Sequence, residues 1–258
     1  MNKTLIALTV VISAAASGSA MATWDAHGLG KAADFGGALT PTASLIPWEV
    51  QVGSAVTDLN SSINKGDKVI NIVTSKNIPI LGIRTKTNSA FAGTSGISPQ
   101  ISYGSAIKVS EFEQSKVPLT LEVKNSSDTK IGELKSSVSA SSLVSVTSSG
   151  YSGAYYAFSP SAGAGFFGGL PTSKDKVSSN DLAKEIMPEI ADNYADQGLT
   201  ATSVESITNF TDHAAKFSGY YASGIKSGDS ISITLDSPVA DYTNITWKAS
   251  LPVTVSYQ

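Results

Sequence analysis

PLTLEVKNSSDTKIGELKSSVSASSLVSV, residues 118–146, decides the fold. Leu119, Leu121 and Val123 alternate with polar residues, which puts all three on one face of a β-strand. Asn125-Ser126-Ser127-Asp128 follows as a turn, because short polar side chains bond their own backbone and tolerate unusual dihedrals. A Ser-rich run then carries Leu134, Val138, Leu143, Val144 and Val146. Two strands around a short turn predict a hairpin.

Working outward, strand signals recur. KVINIV at 68–73 has Val69, Asn71 and Val73 on one face and Ile70 and Ile72 on the other. VQV at 50–52, NIPILGIR at 77–84, 101–103 and 107–109 precede the hairpin. SISITL at 230–235 and an alternating end with Leu251, Val253, Val255 and Tyr257 come after it. Between them, residues 150–169 form an uncharged stretch rich in Gly, Ala and aromatics. Two helices are expected next. Asn180 or Asp181 caps the first, and Leu182, Ile186, Ile190 and Tyr194 repeat every four residues, with a kink at Pro188 and an end at Gly198. The second runs from about Ser203 through Ile207, Phe210, Ala214 and Phe217 to Gly219. No internal repeat is present. The expectation is a β-sandwich with a helical insertion between roughly 150 and 220.

The chain has 258 residues, 18 Lys+Arg against 21 Asp+Glu, and no cysteine. Charged residues are 15% of it, against about 25% in ordinary domains. Serine and threonine fill much of that gap, as in turn-rich β proteins. An isoelectric point near 5.4 without a basic stripe argues against nucleic acid as a partner. Without cysteine, disulfides, thiol catalysis and cysteine zinc sites are excluded.

Residues 1–22 read as a secretory leader. Lys3 is the positive end, residues 5–16 are apolar, and Ala20-Met21-Ala22 is the cleavage motif, so the cut falls between Ala22 and Thr23. Residues 23–40 hold Gly28, Gly30, Gly36 and Gly37 and few large apolar groups. Leu29, Ala33, Phe35 and Leu39 lie two or four apart, on one face of an extended segment. Such a thin strand suits insertion into a groove made by something else.

Catalytic chemistry is not visible. His27 and His213 have no partner at metal-ligand spacing, no G-x-S-x-G elbow occurs, and Gly28-Leu29-Gly30 opens no dinucleotide-binding unit. Glu111/Glu113 and Asp181/Glu185 are the nearest carboxylate pairs and read as solvated faces. No catalytic residue, metal or cofactor is assigned. A binding or structural role fits better than an enzyme.

Several stretches, in order from end to end, resemble a known family. DFGGALT (34–40) is similar to D-I-G-G-x-I-T and PWEVQVG (47–53) to W-x-W-K-V-G. NIPILGIRTKT (77–87), then Ser98-Pro99-Gln100-Ile101, resemble a near-identical family stretch. VKNSSDTKIG (123–132) is similar to M-K-N-x-x-x-T-K-x-G. FGGL (167–170), the ending WKASLPVTVSY (247–257) and the leader also match. The family is that of the FaeG and ClpG type of fimbrial major subunit and adhesin, from enterotoxigenic enterobacteria, assembled by the chaperone–usher pathway. Residues 150–219 match least.

The resemblance implies an incomplete immunoglobulin-like β-sandwich completed by a donor strand from the next subunit, with an inserted small α/β subdomain of about two helices. The implied organisation is 1–22 leader, 23–40 donor strand and 41–258 pilin domain with the insertion at about 150–219. The donor residues would be Leu29, Lys31, Ala33, Phe35, Gly37 and Leu39. Lys31 departs from the apolar pattern, which a snorkelling side chain or a bulge near Gly30 accommodates. Val253, Val255, Tyr257 and the Gln258 carboxylate would be the strand a periplasmic chaperone recognises. The expected partners are neighbouring subunits in a homopolymer, that chaperone, an outer-membrane usher and a host galactose-containing glycan. The expected route leads through the periplasm to an extracellular fimbrium. Tyr155, Tyr156, Phe158, Ser159 and Phe166 are the candidate receptor residues, because sugars are held by aromatic faces and polar groups. A minor or purely structural fimbrial subunit without receptor binding is the alternative.

Overall fold

The hairpin predicted over residues 118–146 is the centre of the molecule. Its turn is held by Asn125, whose side-chain oxygen accepts from the N–H groups of Ser127 and Thr129, both at 3.0 Å. The first strand runs Lys116–Lys124 and the second is unbroken over Lys130–Thr147, pairing Leu121 with Leu134 and Val123 with Gly132. This computed structural model describes residues 46–207, 209–241 and 243–258.

In chain order the strands are β1 Trp48–Val52, β2 Val69–Val73, β3 Ile78–Thr85, β4 Phe91–Ala92, β5 Pro99–Ser102, β6 Lys116–Lys124, β7 Lys130–Thr147, β8 Ser152–Phe158, β9 Ala201–Ser206, β10 Lys216–Ile225, β11 Ser230–Leu235 and β12 Thr254–Tyr257. The single α-helix among the described residues is α1, Leu182–Ile186. β7 is the shared strand. β6 and then β8 pair along one edge of it, and β11 and then β10 pair along the other. Beyond β10 lie β3 and β1, beyond β11 lies β2, and β12 pairs with β5 in a separate two-stranded sheet. The architecture is mainly β and consistent with a β-sandwich.

Alternation predicted β2, β6 and β11 closely because one face of each is wet. In β7 and β10 the pattern fails for a physical reason. From Val138 onward β7 is buried on both faces, as is nearly all of β10. One face meets the main core of Trp48, Leu81, Ile83, Phe166, Phe210 and Tyr221. The other is covered by residues 174–195, which pack Ala183, Ile186, Met187 and Ile190 on Leu143, Tyr220 and Ala222. Serine is what makes this cover possible. Ser141 Oγ accepts from Ala183 N–H at 2.8 Å, Ser218 Oγ accepts from Ala195 N–H at 2.9 Å, and Ser145 Oγ donates to Ala195 C=O at 2.6 Å. Irregular backbone buried on a sheet needs such partners.

The inserted α/β subdomain with two helices is not supported. The first expected helix is reduced to α1, capped by Asp181, followed at Pro188–Ala191 by one 3₁₀ turn. Proline cannot donate within a helix and stops it there. The second expected helix is absent. Its residues form β9, the connection to β10, and the start of β10, while β8 and β9 pair in parallel and extend the main sheet. Ile107 and Val109, expected as a strand, enter a 3₁₀ turn at Val109–Glu111.

Candidate binding surfaces

Two kinds of surface bear on function: strand edges without partners, and shallow depressions. The C-terminal stretch is the first. Trp247, Ala249, Leu251, Val253, Val255 and Tyr257 are half-buried at every second position and pack against the main core, while the intervening residues are exposed. That is the signature of an extended chain on an apolar bed. Lys248 bonds Lys124 at 2.9 Å in both directions, and β12 pairs with β5. Between them, residues 249–253 pair with no strand among the described residues. Val253, Val255 and Tyr257 thus share one half-covered row. Gln258 is exposed, and its backbone exchanges hydrogen bonds with Ser98 at 2.9 and 3.1 Å.

The second edge without a partner among the described residues is that of β1. Lys86 N–H donates to Pro47 C=O and Gly53 N–H to Ile80 C=O, both at 2.9 Å. In an antiparallel ladder bonded pairs alternate, so the odd-numbered residues face β3. The N–H and C=O groups of Trp48, Val50 and Val52 therefore point outward. Val50 is 42% exposed and Val52 60%, although their partners Ile83 and Leu81 are fully buried. Among the described residues β2 likewise pairs only with β11, and it exposes Val69 and Val73.

The receptor candidates separate by burial. Phe166 is 0% exposed, stacked on Tyr221 at 5.6 Å and edge-on to Trp48 at 5.4 Å. Tyr155 is 5% exposed within the same core, and burial pushes its phenol well up. Ser159 is wholly buried, with no hydrogen-bond partner for its hydroxyl among the described residues. Phe158 is half-buried. Tyr156 borders a solvent-open depression, of about 380 Å³, with Ser179, Asn180, Asp181, Lys184 and Glu185. Partial burial, and then the Asp181 charge, raise its phenol. Asp181 accepts from Lys184 N–H at 3.1 Å and from Tyr220 O–H at 2.5 Å. An aromatic flank beside an amide, two carboxylates and an ammonium is chemistry that holds vicinal hydroxyls. The sequence points to Tyr156, whereas Asn180 reads there as a helix cap and Asp181 and Glu185 as a solvated face. Only the fold brings them together. A second depression, of about 310 Å³, lies between β1, Gly82 and Arg84 of β3, and Met187, Glu189 and Ile190. Arg84 is engaged there, with Glu49 at 2.6 Å and the Glu189 carbonyl at 2.5 Å.

The carboxylate pairs are engaged too. Glu111 pairs with Lys108 and Glu113 with Lys176, both at 3.2 Å, and Glu185 with Lys226 at 2.5 Å. His213 is exposed, and among the described residues no three metal-ligating groups converge. The donor residues Leu29, Lys31, Ala33, Phe35, Gly37 and Leu39, and the cleavage pair Ala22 and Thr23, lie outside the described residues.

Comparison with known proteins gives two findings. The family model described as "Fimbrial, major and minor subunit" matches residues 1–258. The F41 fimbrial protein of Escherichia coli is 28% identical over 279 aligned residues, which cover the whole of both chains.

Proposed function

The chain belongs to the family of fimbrial major and minor subunits, and from that premise we propose that it is a FaeG/ClpG-type subunit that polymerises by donor-strand exchange and binds host glycans. The coarser statement needs no proposal: it is a subunit of extracellular surface fimbriae that assembles with other fimbrial subunits.

The observation that carries the polymerisation reading is the C-terminal row. Its alternate residues sit on the core, yet residues 249–253 lack a ladder partner among the described residues. An extended segment with apolar side chains at alternate positions satisfies such an edge by strand addition. In the sequence, Leu29, Ala33, Phe35 and Leu39 follow that pattern, Lys31 departs from it, and glycines let the backbone lie close. The leader, the chaperone contact through Val253, Val255, Tyr257 and Gln258, and passage through an usher complete this reading. Deleting residues 23–39 is expected to abolish fibres in electron micrographs while a chaperone complex is still isolated. Fibres that survive the deletion refute donor-strand exchange.

Glycan binding rests on the depression beside Tyr156. A single site of that size binds weakly, and a fibre with many copies compensates through multivalency. Purified fibres on a glycan array should bind galactose-terminated structures, and Tyr156→Ala should lower the signal at least about tenfold, the loss of one well-placed contact. A blank array with intact fibres favours the purely structural subunit.

A further inference from the structure

VINIV, residues 69–73, reads the same in both directions. It forms β2, which among the described residues pairs on one side only, with β11. Leu235 N–H donates to Lys68 C=O at 2.8 Å and Thr74 N–H to Asp229 C=O at 2.9 Å, so the even-numbered residues bond the β11 side. The N–H and C=O groups of Val69, Asn71 and Val73 therefore point away from β11, and no other described residue bonds them. The side chains of the same three residues are exposed, Val69 at 51% and Val73 at 68%. A flat apolar edge of this kind is a template for another strand.

We propose that this edge docks on β2 of a second copy of the chain, antiparallel, about a two-fold axis through Asn71. A two-fold contact requires a surface that complements itself, and a palindromic strand does. Val69 faces Val73 of the second copy, Ile70 faces Ile72, and Asn71 faces Asn71. Parity agrees. The facing odd-numbered residues are those whose backbone groups point outward, so each exchanges both ladder bonds with its opposite. The valines pack across the strands and the two Asn71 amides bond each other. Charge agrees as well. Residues 69–73 are uncharged, Lys68 faces Thr74 and Asp67 faces Ser75, so like charges do not meet. β1 lacks this symmetry. The same operation about Val50 sets the buried Trp48 against Val52, and Glu49 is already held by Arg84. A lone five-residue edge buries less than the roughly 1,000 Å² of a stable dimer, so one contact is weak. Fibres repeat it at every subunit, and multivalency then holds them side by side. This inference goes beyond the assembly reading: strand donation joins subunits along a fibre, whereas this contact is two-fold and joins one fibre to another.

Because the chain has no cysteine, a single introduced thiol reports without interference. Asn71→Cys, Val69→Cys and Val73→Cys are made separately in the full chain, and each is oxidised at high protein concentration. Across the axis the Cα atoms of residue 71 lie about 5.5 Å apart, within the reach of a disulfide. Residue 69 of one copy and residue 69 of the other are four positions apart along the strand, more than about 13 Å, and so are the two residues 73. Asn71→Cys should therefore form a linked dimer at least about tenfold faster than either flanking variant, since its Cα pair alone meets the disulfide distance. No linkage at residue 71, or equal linkage at all three, overturns the proposal. Should the cysteine variant fail to fold, sedimentation of Asn71→Asp and Asn71→Lys chains decides. Each alone sets like charges face to face and should stay apart, while a mixture of the two should pair. A mixture no more associated than its components overturns it.

Discussion

Gly168 shows how one residue sets a join between distant parts of the chain. Its φ is +86°, and a Cβ there would lie 1.9 Å from the carbonyl oxygen of Ile101 in β5. The neighbouring backbone uses that closeness, since Ile101 N–H donates to Phe167 C=O at 2.7 Å. Gly168→Ala should therefore cost more than about 2 kcal/mol, from left-handed strain and a backbone clash that no rotamer relieves. Chemical denaturation of wild type and variant checks it. Tyr103 is the second case. Its buried hydroxyl bonds Tyr221 Oη at 2.8 Å and Ser223 Oγ at 2.6 Å, and burial pushes its phenol up to about 12. The folded state holds this proton above the pH, about 10, at which an unfolded tyrosine releases it. The stability from this group is thus complete below about pH 10 and lost as pH rises towards about 12. A falling thermal midpoint across that window is expected, with a shallower fall in Tyr103→Phe. That variant should also cost about 1–3 kcal/mol at neutral pH, because Tyr221 and Ser223 lose a buried partner. The FGGL glycines are legible in the sequence by resemblance. That Tyr155 and Phe166 lie in the main core while Tyr156 sits half-buried on the other face of β8, beside the helical segment, is not, since the pattern alone does not say which face meets which cover.

At the scale of elements, α1 is short and owes its position to its cap and its docking. Asp181 accepts from the Lys184 N–H and the Tyr220 hydroxyl at once. Asp181→Ala removes both and should cost about 1–3 kcal/mol. Asp181→Asn, which keeps an acceptor, should recover much of the loss in a thermal melt. The elements that sequence made legible are those with one wet face. In β6 the polar Thr120 and Glu122 separate Leu119, Leu121 and Val123. The second expected helix fails because Ile207, Phe210 and Phe217 fall at helical spacing by coincidence. In the fold, Ile207 and Phe210 drop into the core from the loop after β9, and Phe217 belongs to β10. Thr202 and Val204, both β-branched, are better suited to a strand than to a helix. Gly219, read as a helix end, lies inside β10, where a Cβ would approach Leu143 C=O to 2.9 Å. That no described strand pairs with the outer edge of β1 is equally invisible in sequence, because VQV reads alike for edge and interior strands.

On the scale of the whole molecule, strands far apart in sequence are neighbours. β12 pairs with β5, joining Tyr257 to Pro99, and β10 pairs with β3. Such non-local pairing makes folding slow, so refolding by stopped flow should take milliseconds to seconds or longer. Until the C-terminal row arrives, the core it rests on is open. Leu251→Asp places a charge on that row and should eliminate fibres in electron micrographs. Ser250→Asp, on the exposed side of the same stretch, should leave them intact. Composition foretold a mainly β fold, and order along the chain foretold a fimbrial subunit. The joining of both halves through β7 needed the structure, because a Ser-rich run gives no sign of being buried on both faces. At about 3.3 Å per residue that strand is about 60 Å long, with ladders on both edges. In mechanical terms it is a beam braced from two sides: bending it breaks bonds to β6 or β8 together with those to β10 or β11. A filament of such units is a chain of stiff links, and its compliance resides in the joints, so fibres under tension should lengthen by opening between subunits before any subunit yields.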